Sequence, residues 1–176
     1  MASLEGMAER TVSISSAGKT FSFTGWKVGW VTAPTELRNA IMTAKQFLTF
    51  VSAGPLQPAI AAGLRLDDDY FSGLRDGLAN KRDILRTGLE AAGFTVHPCQ
   101  GTYFLTADIT EVAERNDMPA TSVEFALALP ARAGVVAVPS EVFYKTPDAG
   151  KSLIRFAFCK KDELLNEATS RLSVFA

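Results

Sequence analysis

Histidine occurs once and cysteine twice in this chain of 176 residues, and those scarcities remove whole classes of chemistry. Cys99 and Cys159 cannot build a disulfide framework or, by themselves, a zinc site. His97 stands beside Pro98 with no second histidine to join it, and reads as a surface loop residue rather than a metal ligand or catalyst. Excess charge is also missing: 18 Lys and Arg against 19 Asp and Glu leave a net charge of -1. That balance offers no electrostatic footprint for nucleic acid and no polybasic signal for a membrane surface. No apolar run approaches the roughly 18–20 residues needed to span a bilayer. Met1–Arg10 carries Glu5 and Glu9 without an apolar stretch, so it does not read as a secretory signal. Repeats and low-complexity tracts are absent too. The expectation is a cytoplasmic globular protein with no metal, nucleic-acid or membrane partner. With 47% hydrophobic and 21% charged residues it can build a core.

What is present falls into two textures. Thr11–Ser15 alternates polar and apolar residues as a short strand does. Ser15–Thr20 reads as a small-residue loop, and Lys27–Thr32 as a second strand after the turn at Thr24–Gly25. Pro34–Thr35 marks a helix start with Thr35 as N-cap. Leu37, Ile41, Ala44 and Leu48 give that helix one apolar face, and Leu56–Leu66 follows as a compact helical stretch after Gly54–Pro55. Asp67–Asp68–Asp69 opens the longest helical pattern, with acids at the end that suits the helix dipole and Gly93 as its stop. At about 24 residues it would measure roughly 36 Å and is expected to bridge two lobes. Beyond it, Phe94–Val96, Thr102–Ala107, Val135–Val138 and Leu153–Phe158 read as strands, with helices at Ser122–Leu129 and Lys161–Phe175. This α+β pattern places two parts in an α/β chain, residues 1–75 and 76–176.

Two cations call for explanation. Lys19 follows Ser16-Ala17-Gly18 and precedes Thr20. A phosphate-binding G-x-x-x-x-G-K-[ST] loop fits only at its last three positions, because Ser13 stands where the first glycine belongs and no helix follows. A lysine that condenses with a carbonyl cofactor is the second reading: small neighbours admit a bulky group, while Ser16 and Lys27 could hold its phosphate. Spacing alone leaves an exposed turn lysine as the stronger reading. Arg155 interrupts the apolar run Leu153-Ile154-Arg155-Phe156-Ala157-Phe158, where a guanidinium is costly unless an anion pairs with it. An internal salt bridge, a wet strand face and a ligand carboxylate all remain open on the residues alone.

The segment Ser15-Ser16-Ala17-Gly18-Lys19-Thr20-Phe21-Ser22-Phe23-Thr24-Gly25-Trp26-Lys27-Val28-Gly29-Trp30 strongly resembles the cofactor-lysine segment of class I/II aminotransferases. These are fold-type-I enzymes that use pyridoxal 5'-phosphate (PLP), and the similarity is greatest to their kynurenine-aminotransferase-like branch. The texture also resembles N-succinyldiaminopimelate aminotransferases. The resemblance continues, in the family's order, through Gly54-Pro55-Leu56-Gln57, Gly101-Thr102-Tyr103-Phe104-Leu105 and Leu153–Lys160. It implies the C-terminal part of the large PLP-dependent transferase domain followed by a small α+β domain. It further implies a Schiff base on Lys19, a cofactor phosphate held by Ser16 and Lys27, and a substrate carboxylate held bidentately by Arg155. Most relatives carry arginine where Lys27 stands; lysine keeps the charge but loses the planar fork.

By the same resemblance the protein moves an amino group between an amino acid and a 2-oxo acid and works as a homodimer. Phe47–Val51 then either reaches a partner subunit's active site or packs beneath the helices. Tyr103 and Phe104 read more readily as core aromatics than as pocket lining. A carbon–sulfur β-lyase on the same scaffold and a non-catalytic dimerising remnant are the alternatives. No residues here match the family's N-terminal half, which supplies the glycine-led phosphate turn, the ring-stacking aromatic, and the Asn and Asp that contact the ring. The chain alone is therefore expected to be inactive and, because its first two strands would lack neighbours, either to oligomerise or to represent part of a longer gene product.

Overall fold

A computed structural model describes residues 1–51 and 53–176. It divides into two units, Met1–Asp68 and Asp69–Ala176.

In the first unit, β1 (Ser13–Ser16) leads into a single helical turn, α1 (Ala17–Thr20), and after a 3-10 turn at Thr24–Trp26 the chain returns as β2 (Gly29–Thr32). The two strands, expected to stand alone, pair with each other antiparallel, Ser13 opposite Thr32 and Ser16 opposite Gly29. Lys27 and Val28 fall short of the expected strand because Lys27 is left-handed (φ 52°) and ends the 3-10 turn. Two helices follow, α2 (Thr35–Leu48) and α3 (Gln57–Gly63). Thr35 is not the N-cap of α2. Pro34 takes that position with extended ψ (151°), and Thr35 is already helical. The buried apolar residues are few: Ala17, Val28 and Ile60, with Phe21, Phe23, Trp30, Ala53 and Leu56 packed against them. On α2 the apolar stripe is only half-covered at Leu37 and Ile41 and exposed at Ala44 and Leu48.

The second unit carries most of the core. Helix α4 (Asp68–Ala91) is the long one, and Gly93 behind it adopts φ 89°, a left-handed stop open to glycine. Four short strands, β3 (Thr95–Val96), β4 (Phe104–Asp108), β5 (Val138–Pro139) and β6 (Leu153–Ala157), form an antiparallel sheet in the order β3-β4-β6-β5. In the β4–β6 register, Leu105 faces Phe156 and Ala107 faces Ile154. All four are buried, in one cluster with Leu85 and Leu89 of α4. Phe94 fastens this cluster, meeting the rings of Phe125, Phe156 and Phe175 edge-on at 5.7–6.1 Å. That geometry places positive ring edges on negative faces.

Three further helices complete the unit: α5 (Thr110–Arg115), α6 (Ser122–Ala133) and α7 (Asp162–Leu172). Sequence periodicity does not reveal α5, which is barely more than one turn. Its anchors are local, with Val112 and Ala113 buried and the Thr110 N–H held by the Asp108 carboxylate at 2.8 Å. Helix α6 outruns the expected end at Leu129 by passing through Pro130. Ser122, Phe125, Leu129 and Ala133 are all buried along one stripe, so the packing of the last turn outweighs the proline's lost hydrogen bond. Thr121 caps its start, accepting from the Glu124 N–H and donating to Glu124 Oε2 at 2.9 Å.

Helices α4 and α7 approach so closely at Gly88 that any Cβ there would overlap the Cβ and Cγ2 of Thr169. Gly88→Ala gains about 1 kcal/mol of helix propensity and still is expected to lower unfolding free energy by about 1–3 kcal/mol through overpacking. In urea titrations Thr169→Gly should offset part of that loss, giving a double-mutant coupling of opposite sign. Asp108 provides a pH test. Partial burial works to raise its pKa, but Ser152 Oγ at 2.6 Å, the Thr110 hydrogen bonds and the nearby His97 together hold it below the ordinary 3.8. A depressed carboxylate pKa gives stability that is complete above the unfolded value and lost as pH falls through the folded one. The stability gap between the parent and Asp108→Asn is therefore expected to shrink below about pH 4, as read by denaturation across pH.

Candidate functional site

The hairpin loop of the first unit gathers three of the four residues singled out by sequence. Ser16 ends β1 opposite Gly29, and one residue on, the Ala17 N–H donates to the Val28 carbonyl at 2.9 Å. Lys27 precedes that carbonyl, so Ser16 and Lys27 belong to the same end of the hairpin. The turn of α1 is held by Phe21 N–H donating to Ala17 O at 3.0 Å. Within that turn Ala17 and Gly18 are buried, whereas Lys19 is exposed, as are Ser16 and Lys27.

The backbone around this turn is packed against itself. A Cβ on Gly18 would lie 2.9 Å from Thr24 Cα, and one on Gly29 would lie 2.5 Å from the Ser15 carbonyl oxygen. Both contacts are to main chain, which cannot swing aside. The loop is thus a rigid platform whose small residues face inward and whose amine and hydroxyl groups face outward. No helix continues from Lys19-Thr20: the chain turns at once through Phe21 and Ser22, the latter at φ 57°. The phosphate-loop reading of Gly18-Lys19-Thr20 therefore lacks its helix N-terminus.

Arg155 lies in the second unit, in the middle of β6 between Thr106 of β4 and Val138 of β5. Alternation along β6 sends Ile154 and Phe156 into the core and puts Arg155 on the opposite face, half-buried. It takes part in none of the ion pairs formed among the described residues, so the salt-bridge reading has no support. Its Nε is buried and has no hydrogen-bond partner among the described residues. An orphaned charged donor of this kind is costly in a fold unless something outside the fold completes it. The guanidinium carbon instead sits 4.0 Å from the ring centroid of Phe143 and 4.9 Å from that of Phe104. Phe104, read from sequence as a core aromatic, faces away from the core toward this cation. Phe143 has no signal in the sequence, since only the fold brings its turn over β6.

Comparison with known proteins decides the family. The model for aminotransferase class I and II matches residues 2–172. The chain belongs to the class I and II aminotransferase family. Members of this family and the relatives found depend on PLP. A probable N-succinyldiaminopimelate aminotransferase of Mycobacterium tuberculosis is 44% identical over 185 residues, covering 100% of this chain and 45% of that protein. A methionine aminotransferase of Escherichia coli is 40% identical over 166 residues, covering 94% and 42%. The solved structure of N-succinyldiaminopimelate aminotransferase from Mycobacterium tuberculosis superposes with a TM-score of 0.88 at 46% identity, covering 99% of this chain and 44% of that one. The chain spans less than half the length of the aminotransferases it matches. No described helix is long and apolar enough to cross a membrane.

A buried guanidinium nitrogen left without a hydrogen bond among the described residues costs the fold stability. Arg155→Met removes the orphaned Nε, keeps the length of the side chain and loses only the ring contacts. Its unfolding free energy is expected to equal the parent's or exceed it by about 1 kcal/mol. A urea titration showing a loss beyond about 1 kcal/mol would mean that the cation is structural.

Proposed function

We propose that this chain is the C-terminal portion of a PLP-dependent aminotransferase that moves an amino group between an amino acid and a 2-oxo acid. Lys19 is its catalytic amine, Ser16 and Lys27 are its phosphate holders, and Arg155 is its carboxylate anchor. The observation that carries the reading is the lysine loop. One exposed amine, flanked by a hydroxyl and a second cation, stands on a turn whose Ala17 and Gly18 are buried. These residues fit the cofactor: the phosphate dianion takes a hydroxyl and a charged donor, and Gly18 and Gly29, packed against main chain, hold the turn that carries the amine. When bound, PLP supplies an electron-withdrawing ring that takes up the electron pair left as the substrate Cα–H bond breaks.

The residues of the chain then have separate tasks. Lys19 Nζ accepts the Cα proton, a positioned base contributing about 10²–10⁴-fold to rate. Arg155 holds the α-carboxylate through parallel N–H bonds, fixing the orientation of the Cα–H bond. The second reading, β-elimination from a sulfur amino acid, gains nothing from the comparisons, because the relatives that match are aminotransferases. We also propose a cytoplasmic homodimer. The exposed apolar run Phe47, Leu48, Phe50 and Val51, each 66–84% accessible, supports a further subunit or the remaining portion of the enzyme covering this stretch.

Trapping tests the central residue. After incubation with PLP and reduction with borohydride, peptide mass mapping is expected to find the pyridoxyl group on Lys19 and to find none in Lys19→Ala. A label confined to another lysine would end the proposal. The isolated chain should show no turnover of an amino acid with 2-oxoglutarate. Turnover should arise when the N-terminal portion is supplied, and fall at least about 10²-fold in Lys19→Ala.

A further inference from the structure

Phe143 is a large apolar side chain that the core does not use. It closes the 3-10 turn Glu141–Phe143, between β5 and β6, and is 62% exposed. Its ring lies against the Arg155 guanidinium, 4.0 Å from centroid to guanidinium carbon. The turn that carries it is tied to the buried start of α6. Ser122, fully buried, accepts from the Glu141 N–H at 3.3 Å and donates to Glu141 Oε2 at 3.2 Å. The Phe143 N–H donates to Ser140 O at 3.0 Å. Phe104, in β4 beside Arg155, is the second ring near the cation, at 4.9 Å. Among the described residues the guanidinium is therefore restrained by aromatic contacts rather than by hydrogen bonds.

Those two kinds of restraint leave different parts of the group available. A ring attracts a planar cation through its face, while all five N–H donors of a guanidinium lie in the plane. We propose that Phe143 is a positioning residue: by stacking on Arg155 it fixes the guanidinium plane and presents its N–H edge to the carboxylate of a 2-oxo or amino acid. This rests on the reading of Arg155 as the carboxylate anchor. Without the ring, the side chain must be ordered by the ligand itself, and affinity falls.

The test uses the whole chain labelled with nitrogen-15 and titrated with pyruvate, a 2-oxo acid with a single carboxylate. The Arg155 Nε–H resonance, assigned by its loss in Arg155→Gln, is expected to move on titration. Phe143→Ala and Phe143→Leu should weaken the apparent affinity about three- to tenfold and shift the ligand-free resonance, because the ring current is gone. Phe143→Tyr should restore both. The leucine variant separates bulk from the π-face, and an unchanged thermal melt shows that the fold has survived. Leucine binding within twofold of the parent, or an unmoved ligand-free resonance in Phe143→Ala, overturns the role of Phe143 and leaves Arg155 as anchor. A parent chain that does not respond overturns both readings, as does a pyruvate response in the β4 and β6 backbone amides that persists in Arg155→Gln.

Discussion

The pairing register of β4 and β6 is the constraint on which the second unit turns. Because side chains alternate across a strand, a slip of one residue would carry Arg155 into the core and expel Ile154 and Phe156. The observed register, Thr106 opposite Arg155 and Ala107 opposite Ile154, satisfies two demands at once. It fills the core face with Leu105, Ala107, Ile154 and Phe156, all at most 3% accessible, and it brings the cation to the other face beside Phe104. Burial of the apolar residues supplies the free energy that locks the register. The position of the guanidinium is thus decided by hydrophobic residues that never touch it.

A different economy governs the lysine hairpin. Little side-chain core lies under it, only Ala17, Val28 and Ile60 being buried there. Its shape comes from main chain meeting main chain at Gly18 and Gly29 and from main-chain hydrogen bonds such as those from Ala17 N–H to the Val28 carbonyl and from Phe21 N–H to the Ala17 carbonyl. A loop held in this way can keep an exposed amine in a fixed place without enclosing it. That suits the role proposed for Lys19, an amine that meets a cofactor and a substrate in turn.

Legibility in the sequence followed the length scale of each interaction. The long helix α4 and its glycine stop could be read from periodicity, as could the alternation that isolates Arg155 in β6, since each is encoded within a few neighbouring residues. Ser16, Lys19 and Lys27 were visible as a group because twelve consecutive residues contain them. What depends on distant packing was hidden. Helix α6 continues through Pro130 because Ala133 finds a buried seat, and α5 forms around an Asp108 that is itself fixed by Ser152, 44 residues away. Phe143 carries no local mark at all; its turn reaches Arg155 only once Ser122 and Glu141 have met. The misplaced cap at Thr35 is a smaller lesson. Proline fixes the backbone just ahead of a helix as well as a hydroxyl does, and Pro34 took the position first.

The contact between Gly88 and Thr169 ties together two points 81 residues apart in sequence. With no room for a single additional carbon between α4 and α7, neither position can drift alone. A lineage in which residue 88 acquires a side chain would have to shed one at 169 or reset the spacing of the two helices. Across descendants of this protein the pair should vary in concert, leaving an imprint of helix proximity that is legible in an aligned set of sequences.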